Sequence, residues 1–148
     1  NLVAGDTDLV DDLFIKDLTT GAVTRVPSGS QPNSASFDPV FSTDGSKLVF
    51  TSYASNLVSV DTNNDIDVFV YDLASGAVTM ASVSGTGQQS SGLIYNPIFS
   101  PDGSEVAFLG ADLLVPGAPA NSLQVYVKML SSSVDIDGAG GTNTISFV

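Results

Sequence analysis

The chain repeats itself, and that repetition limits its possible folds more than any other property of its 148 residues. Residues 1–25 lie over residues 56–80 at a constant offset of 55, with 13 identities and no gap. Both copies open Asn-Leu-Val and share Asp6-Thr7 with Asp61-Thr62, Asp12 with Asp67, Phe14 with Phe69, and Asp17-Leu18 with Asp72-Leu73. A second match, at offset 58, pairs Asp38-Pro-Val-Phe-Ser-Thr-Asp-Gly45 with Asn96-Pro-Ile-Phe-Ser-Pro-Asp-Gly103. A worn third copy of the first motif runs from Leu114-Val115 into Leu123–Leu130, so the unit is about 55–58 residues long. Such a unit cannot bury its apolar surface alone and stacks on its neighbours.

Within one unit the strand signals are short apolar runs broken by turn residues. Pro39–Ser42 reads as a strand, Asp44-Gly45 as a turn and Lys47–Tyr53 as a second strand. A polar loop through Asp61–Asp65 leads to a third strand at Asp67–Leu73, and Ser75-Gly76 turns the chain into a fourth, Ala77–Val83. Helical periodicity is missing. Runs such as Val68-Phe69-Val70-Tyr71, apolar at successive positions, call for a sheet covered on both faces. The expected class is all-β, built of four-stranded antiparallel sheets stacked as propeller blades are. Phe14, Phe69 and Tyr126 share one repeat position and are expected in the core.

Phe41-Ser-Thr-Asp-Gly-Ser-Lys-Leu-Val-Phe50 and Phe99-Ser-Pro-Asp-Gly-Ser-Glu-Val-Ala-Phe108 resemble the PD40, or TolB-like, β-propeller repeat (WD40-like). The stretch from Ala54 to Leu73 is similar to the variant common in exported bacterial proteins, whose loop between second and third strands carries Asp-Thr-Asn. The resemblance implies about two and a half blades: a partial one at 1–36, a full one at 37–94 and a third at 95–148 whose last strand is Thr144–Val148. Propellers have more blades than that. The resemblance therefore implies a homo-oligomer, or the remainder of a longer chain, to close the ring. It also implies an extracellular or cell-surface location, with the periplasm as second choice. Such blades serve as scaffolds, binding platforms and enzyme domains alike.

Composition removes most catalytic chemistry. The chain has no Cys, His or Trp, which excludes a histidine base, a thiol nucleophile and the usual zinc ligands. Sixteen acidic residues against four basic ones leave a net charge of −12, which argues against nucleic acid and against anionic membranes. No apolar stretch is long enough to span a bilayer, so membrane insertion is not expected. Fifteen of the sixteen acids are Asp, a residue of turns and liganding loops.

Seven of those Asp fall in two loops at equivalent repeat positions: Asp6, Asp8, Asp11 and Asp12 in the first, Asp61, Asp65 and Asp67 in the second. Ca²⁺ wants several oxygens in a tight loop, and clustered carboxylates repel one another without a cation. The expected ligands are Asp6, Asp8 and Asp12, in register with Asp61, Asn63 and Asp67, and Asp65 beside them. That gives about one calcium ion per loop. Turn preference alone is the competing explanation. The third unit has Pro116-Gly-Ala-Pro-Ala-Asn-Ser122 there, a loop without acids. Asp44, Asp102, Asp17 and Asp72 read as turn residues, and Asp135-Ile-Asp137-Gly138 as a weaker calcium-like motif.

The function expected from these readings is a non-enzymatic, calcium-binding structural or interaction module, its partners a protein or a surface glycan. A self-assembling surface or filament subunit joined through blade edges is the alternative. A glycosidase-like carboxylate site is the third reading, weakened because the acids follow the repeat instead of breaking it.

Overall fold

The middle sheet of the molecule is apolar on both faces, and everything else is arranged against it. The structure, a computed structural model, describes residues 2–7, 9–29, 31–111 and 123–130. These residues form nine strands and no helix. Strands β1 (Leu13–Lys16) and β2 (Val23–Val26) pair as a two-stranded sheet. Strands β3 (Ser36–Phe41), β4 (Lys47–Ser52), β5 (Asp67–Asp72) and β6 (Val78–Met80) form the four-stranded middle sheet in chain order. Strands β7 (Ile94–Phe99), β8 (Glu105–Gly110) and β9 (Gln124–Met129) form the third sheet, again in chain order. All pairings are antiparallel.

Alternation along the strands decides which residue meets which sheet. Leu48, Phe50, Phe69, Tyr71 and Met80 point one way and pack with Val26, Leu13 and Ile15 of the first sheet. Val49, Val68 and Val70 point the other way and pack with Ile94, Val106, Phe108 and Tyr126 of the third. The two interfaces repeat even in their rings: Phe50 stacks on Phe69 at 5.8 Å between centroids and Phe108 on Tyr126 at 5.7 Å. Phe14 departs from expectation. It alternates out of phase with Leu13 and Ile15, lies on the outer side of the first sheet, and is only half-buried.

The repeated Asp-Pro and Asn-Pro pairs are bulges. Asp38 and Asn96 both have φ of 55°, and the β3–β4 and β7–β8 registers shift at those points. Asp and Asn tolerate the left-handed region, and a proline lacking N–H suits a bulged edge strand. Because the bulge extends pairing upstream, β3 starts at Ser36, three residues before the expected Pro39, and β7 starts at the equivalent Ile94. Strand β6 is shorter than expected, three residues. The expected strand Thr144–Val148 lies outside the described residues.

Phe69 has no exposed surface and joins β4, β5 and the first sheet. Its replacement in Phe69→Ala removes the ring from a site with little room to collapse. The expected loss is about 3–5 kcal/mol, read by urea unfolding, with an unchanged far-UV spectrum below the transition.

Candidate metal centre

The two acidic loops share one frame. The Asp6 N–H donates to the Val3 carbonyl and the Asp61 N–H to the Val58 carbonyl, each at 3.3 Å. Thr7 Oγ1 donates to Gln31 Oε1 at 3.4 Å, and Thr62 Oγ1 to Gln89 Oε1 at 3.1 Å. Each glutamine sits in the linker that leaves its sheet for the next, so loop and linker are tied in both units. In the second unit the Gln89 amide also donates to the Val60 carbonyl. Asn63 Nδ2 donates to the Ser90 carbonyl at 2.6 Å.

Strand β5 begins at Asp67, which pairs with Ser52 across the ladder and has no exposed surface. Ser82 Oγ donates to Asp67 Oδ1 at 2.5 Å and accepts the Val68 N–H at 3.0 Å. Asp67 Oδ2 is buried without a hydrogen-bond partner, and so is Oδ1 of Asp61, a residue only 8% exposed. Burial pushes the Asp67 carboxyl up to about 6; the Ser82 hydrogen bond and the nearby Asn63 amide oppose the shift, and the charges of Asp61 and Asp65 add to it. Burial also raises Asp61, against a hydrogen bond from the Asn63 backbone. A buried carboxylate oxygen that lacks a partner carries a desolvation cost that a cation or a proton would relieve.

In the first loop Asp6 is buried and the Asp12 side chain is 1% exposed. Here the sequence reading missed a residue. Arg25 Nη1 stands 3.8 Å from Asp12 Oδ2 and donates to the Gly5 carbonyl at 3.3 Å. The exposed Asp11 uses its carbonyl to accept the Ser36 N–H at 2.8 Å. Asp8 lies outside the described residues, as do Pro116–Ser122 and Asp135–Gly138.

Of the expected ligands, the fold thus brings Asp61, Asp65 and Asp67 near one end of the middle sheet and sets Asp12 beside Arg25, with Asp6 buried in the same loop. Asn63 braces its loop with both ends of its amide, since Oδ1 accepts the Asp65 N–H at 3.2 Å. Among the described residues no group of three acidic side chains converges closely enough to hold a metal by itself. A shell at the second loop would draw on Asp61 and Asp67 and be completed by carbonyl or water oxygens, which calcium accepts.

Asp17, Asp72, Asp44 and Asp102 are turn caps, as their positions implied. Asp17 Oδ1 accepts the Thr19 and Thr20 N–H groups, and Asp72 Oδ1 those of Ala74 and Ser75. Asp44 takes hydrogen bonds from Ser42 and Ser46, and Asp102 from Ser100 and Ser104, which hold both carboxyls down at about 2. A cavity of about 300 Å³, lined by Lys47, Asp72 and Lys128 among apolar residues, opens at the Asp72 end of β5, away from the acidic loop.

No protein-family model matches the chain, and no curated protein matches it.

The raised carboxyl of Asp67 makes a pH prediction. Its folded value near 6 exceeds the unfolded value near 3.8, so the native state binds the extra proton between those limits. The stability that proton confers is present below about pH 4 and lost as pH rises through 6. In EDTA the protein should melt a few degrees higher at pH 5 than at pH 7.5. Calorimetry on Asp67→Asn should show a smaller difference, because general charge relief remains and the buried titration is gone.

Proposed function

We propose that the chain is a calcium-stabilised β-propeller segment, a non-enzymatic structural or interaction module of an exported bacterial protein. The observation that carries the calcium reading is the pair of unpartnered buried oxygens, Asp61 Oδ1 and Asp67 Oδ2, in a loop that also carries Asp65. A hard cation would supply the missing partner and offset the mutual repulsion. The propeller reading draws on the PD40-like motifs and on the face-to-face succession of sheets whose strands follow chain order. In this role the cation joins the loop before β5 to the sheet and stiffens an acidic surface for a protein or glycan partner.

Binding to the native state alone stabilises by about 2.7 kcal/mol at a hundredfold excess over Kd. For a chain of this size that is a Tm rise of about 5–10 °C. Calorimetry at pH 7.5 should show it when Ca²⁺ replaces EDTA, and an unchanged melt would sink the calcium reading.

The outer face of the third sheet supports a second reading, self-assembly. Val125, Val127 and Met129 of β9 and Ile98 of β7 are largely exposed there. Val125 and Val127 fall at the repeat positions of Val68 and Val70, which the third sheet covers within the chain. A second copy stacked on this face would bury them in the same way. Sedimentation velocity should then show a concentration-dependent oligomer that Val127→Lys converts to monomer; a monomeric wild type at all concentrations removes this reading.

A further inference from the structure

The two loops share a backbone frame and differ in what stands against the carboxylates. At offset 55, Arg25 corresponds to Met80 and Pro27 to Ser82. In the first loop the guanidinium stands 3.8 Å from the Asp12 carboxylate and donates to the Gly5 carbonyl, so a positive charge is held against the acid. In the second loop the same strand position holds Met80, 7% exposed and packed in the apolar cluster with Phe50 and Phe69. It brings no charge. Ser82 offers Asp67 a neutral hydrogen bond, with no counter-charge. The charges acting on Asp67 are those of Asp61 and Asp65, both negative. Lys128 donates elsewhere, to the Val83 carbonyl at 3.3 Å.

We infer that the loops are not equivalent: the second takes one hard divalent cation on Asp61 and Asp67, while in the first the Arg25 guanidinium fills the cation's place. The inference rests on the calcium reading above and limits it to a single ion. One unit therefore carries its counter-charge in the sequence and the other takes it from solution. The physical reason is geometric. Strand β2, two residues of pairing away from Asp12, can extend a long side chain along the outer face of the first sheet. The matching side chain of β6 points into the packed interface between the first and middle sheets, where an arginine would have to be desolvated.

Calcium titration by isothermal calorimetry on the full chain at pH 7.5 tests this. The expected stoichiometry is one ion for wild type, one for Asp6→Asn, none for Asp61→Asn and two for Arg25→Met. Two ions in wild type, loss of binding in Asp6→Asn, or a stoichiometry of one in folded Arg25→Met would each overturn the inference and leave calcium binding standing. No binding to wild type would overturn the calcium reading and this inference together. Far-UV circular dichroism of each variant in EDTA reports folding. If Arg25→Met does not fold, the contrast between Asp6→Asn and Asp61→Asn decides.

Discussion

The structure depends on the burial of the middle sheet from both sides. Strand β4 alternates Leu48 and Phe50 with Val49, and β5 alternates Phe69 and Tyr71 with Val68 and Val70, so each strand feeds two apolar interfaces. Each fully buried side chain of this size is worth roughly 1.5–3 kcal/mol. A two-stranded ribbon such as β1–β2 is marginal alone. Against the middle sheet it becomes an ordered layer.

The acidic loops inherit their geometry from that stack. Asp67 is the first residue of β5, so the ladder that buries Val68 and Phe69 also removes Asp67 from water. Its charge is therefore costly for a reason that lies in the sheet, and Ser82, just past the neighbouring strand, offsets only part of the cost. The same position in the first unit, Asp12, lies beside a guanidinium. A repeated backbone thus presents one electrostatic problem twice, and the chain answers it with an internal cation in one unit. We read the other as answered by a dissolved one.

Much of the architecture was legible in the sequence. The strands of the middle unit, the turns at Asp44-Gly45 and Ser75-Gly76, and the capping by Asp17 and Asp72 follow from local chemistry, and each turn recurs in a second copy. The bulges were not foreseen, although the recurring Asp38-Pro39 and Asn96-Pro97 carried the signal. Phe14 was misjudged because its repeat partner Phe69 is buried by a sheet on the side where, in the first unit, Phe14 is half-exposed. Arg25 was missed because a single cation at the end of a repeat looks incidental until its partner Met80 is set beside it.

The sequence alone determined the repeat, its strand order and the placing of acids in equivalent loops, because turn preference, strand alternation and spacing act between near neighbours. Only the tertiary structure decided which of those acids are buried, which oxygen lacks a partner, and that Arg25 crosses from β2 to Asp12. Those outcomes depend on how one sheet packs against the next and on which strands lie side by side. Residues far apart in the chain set both.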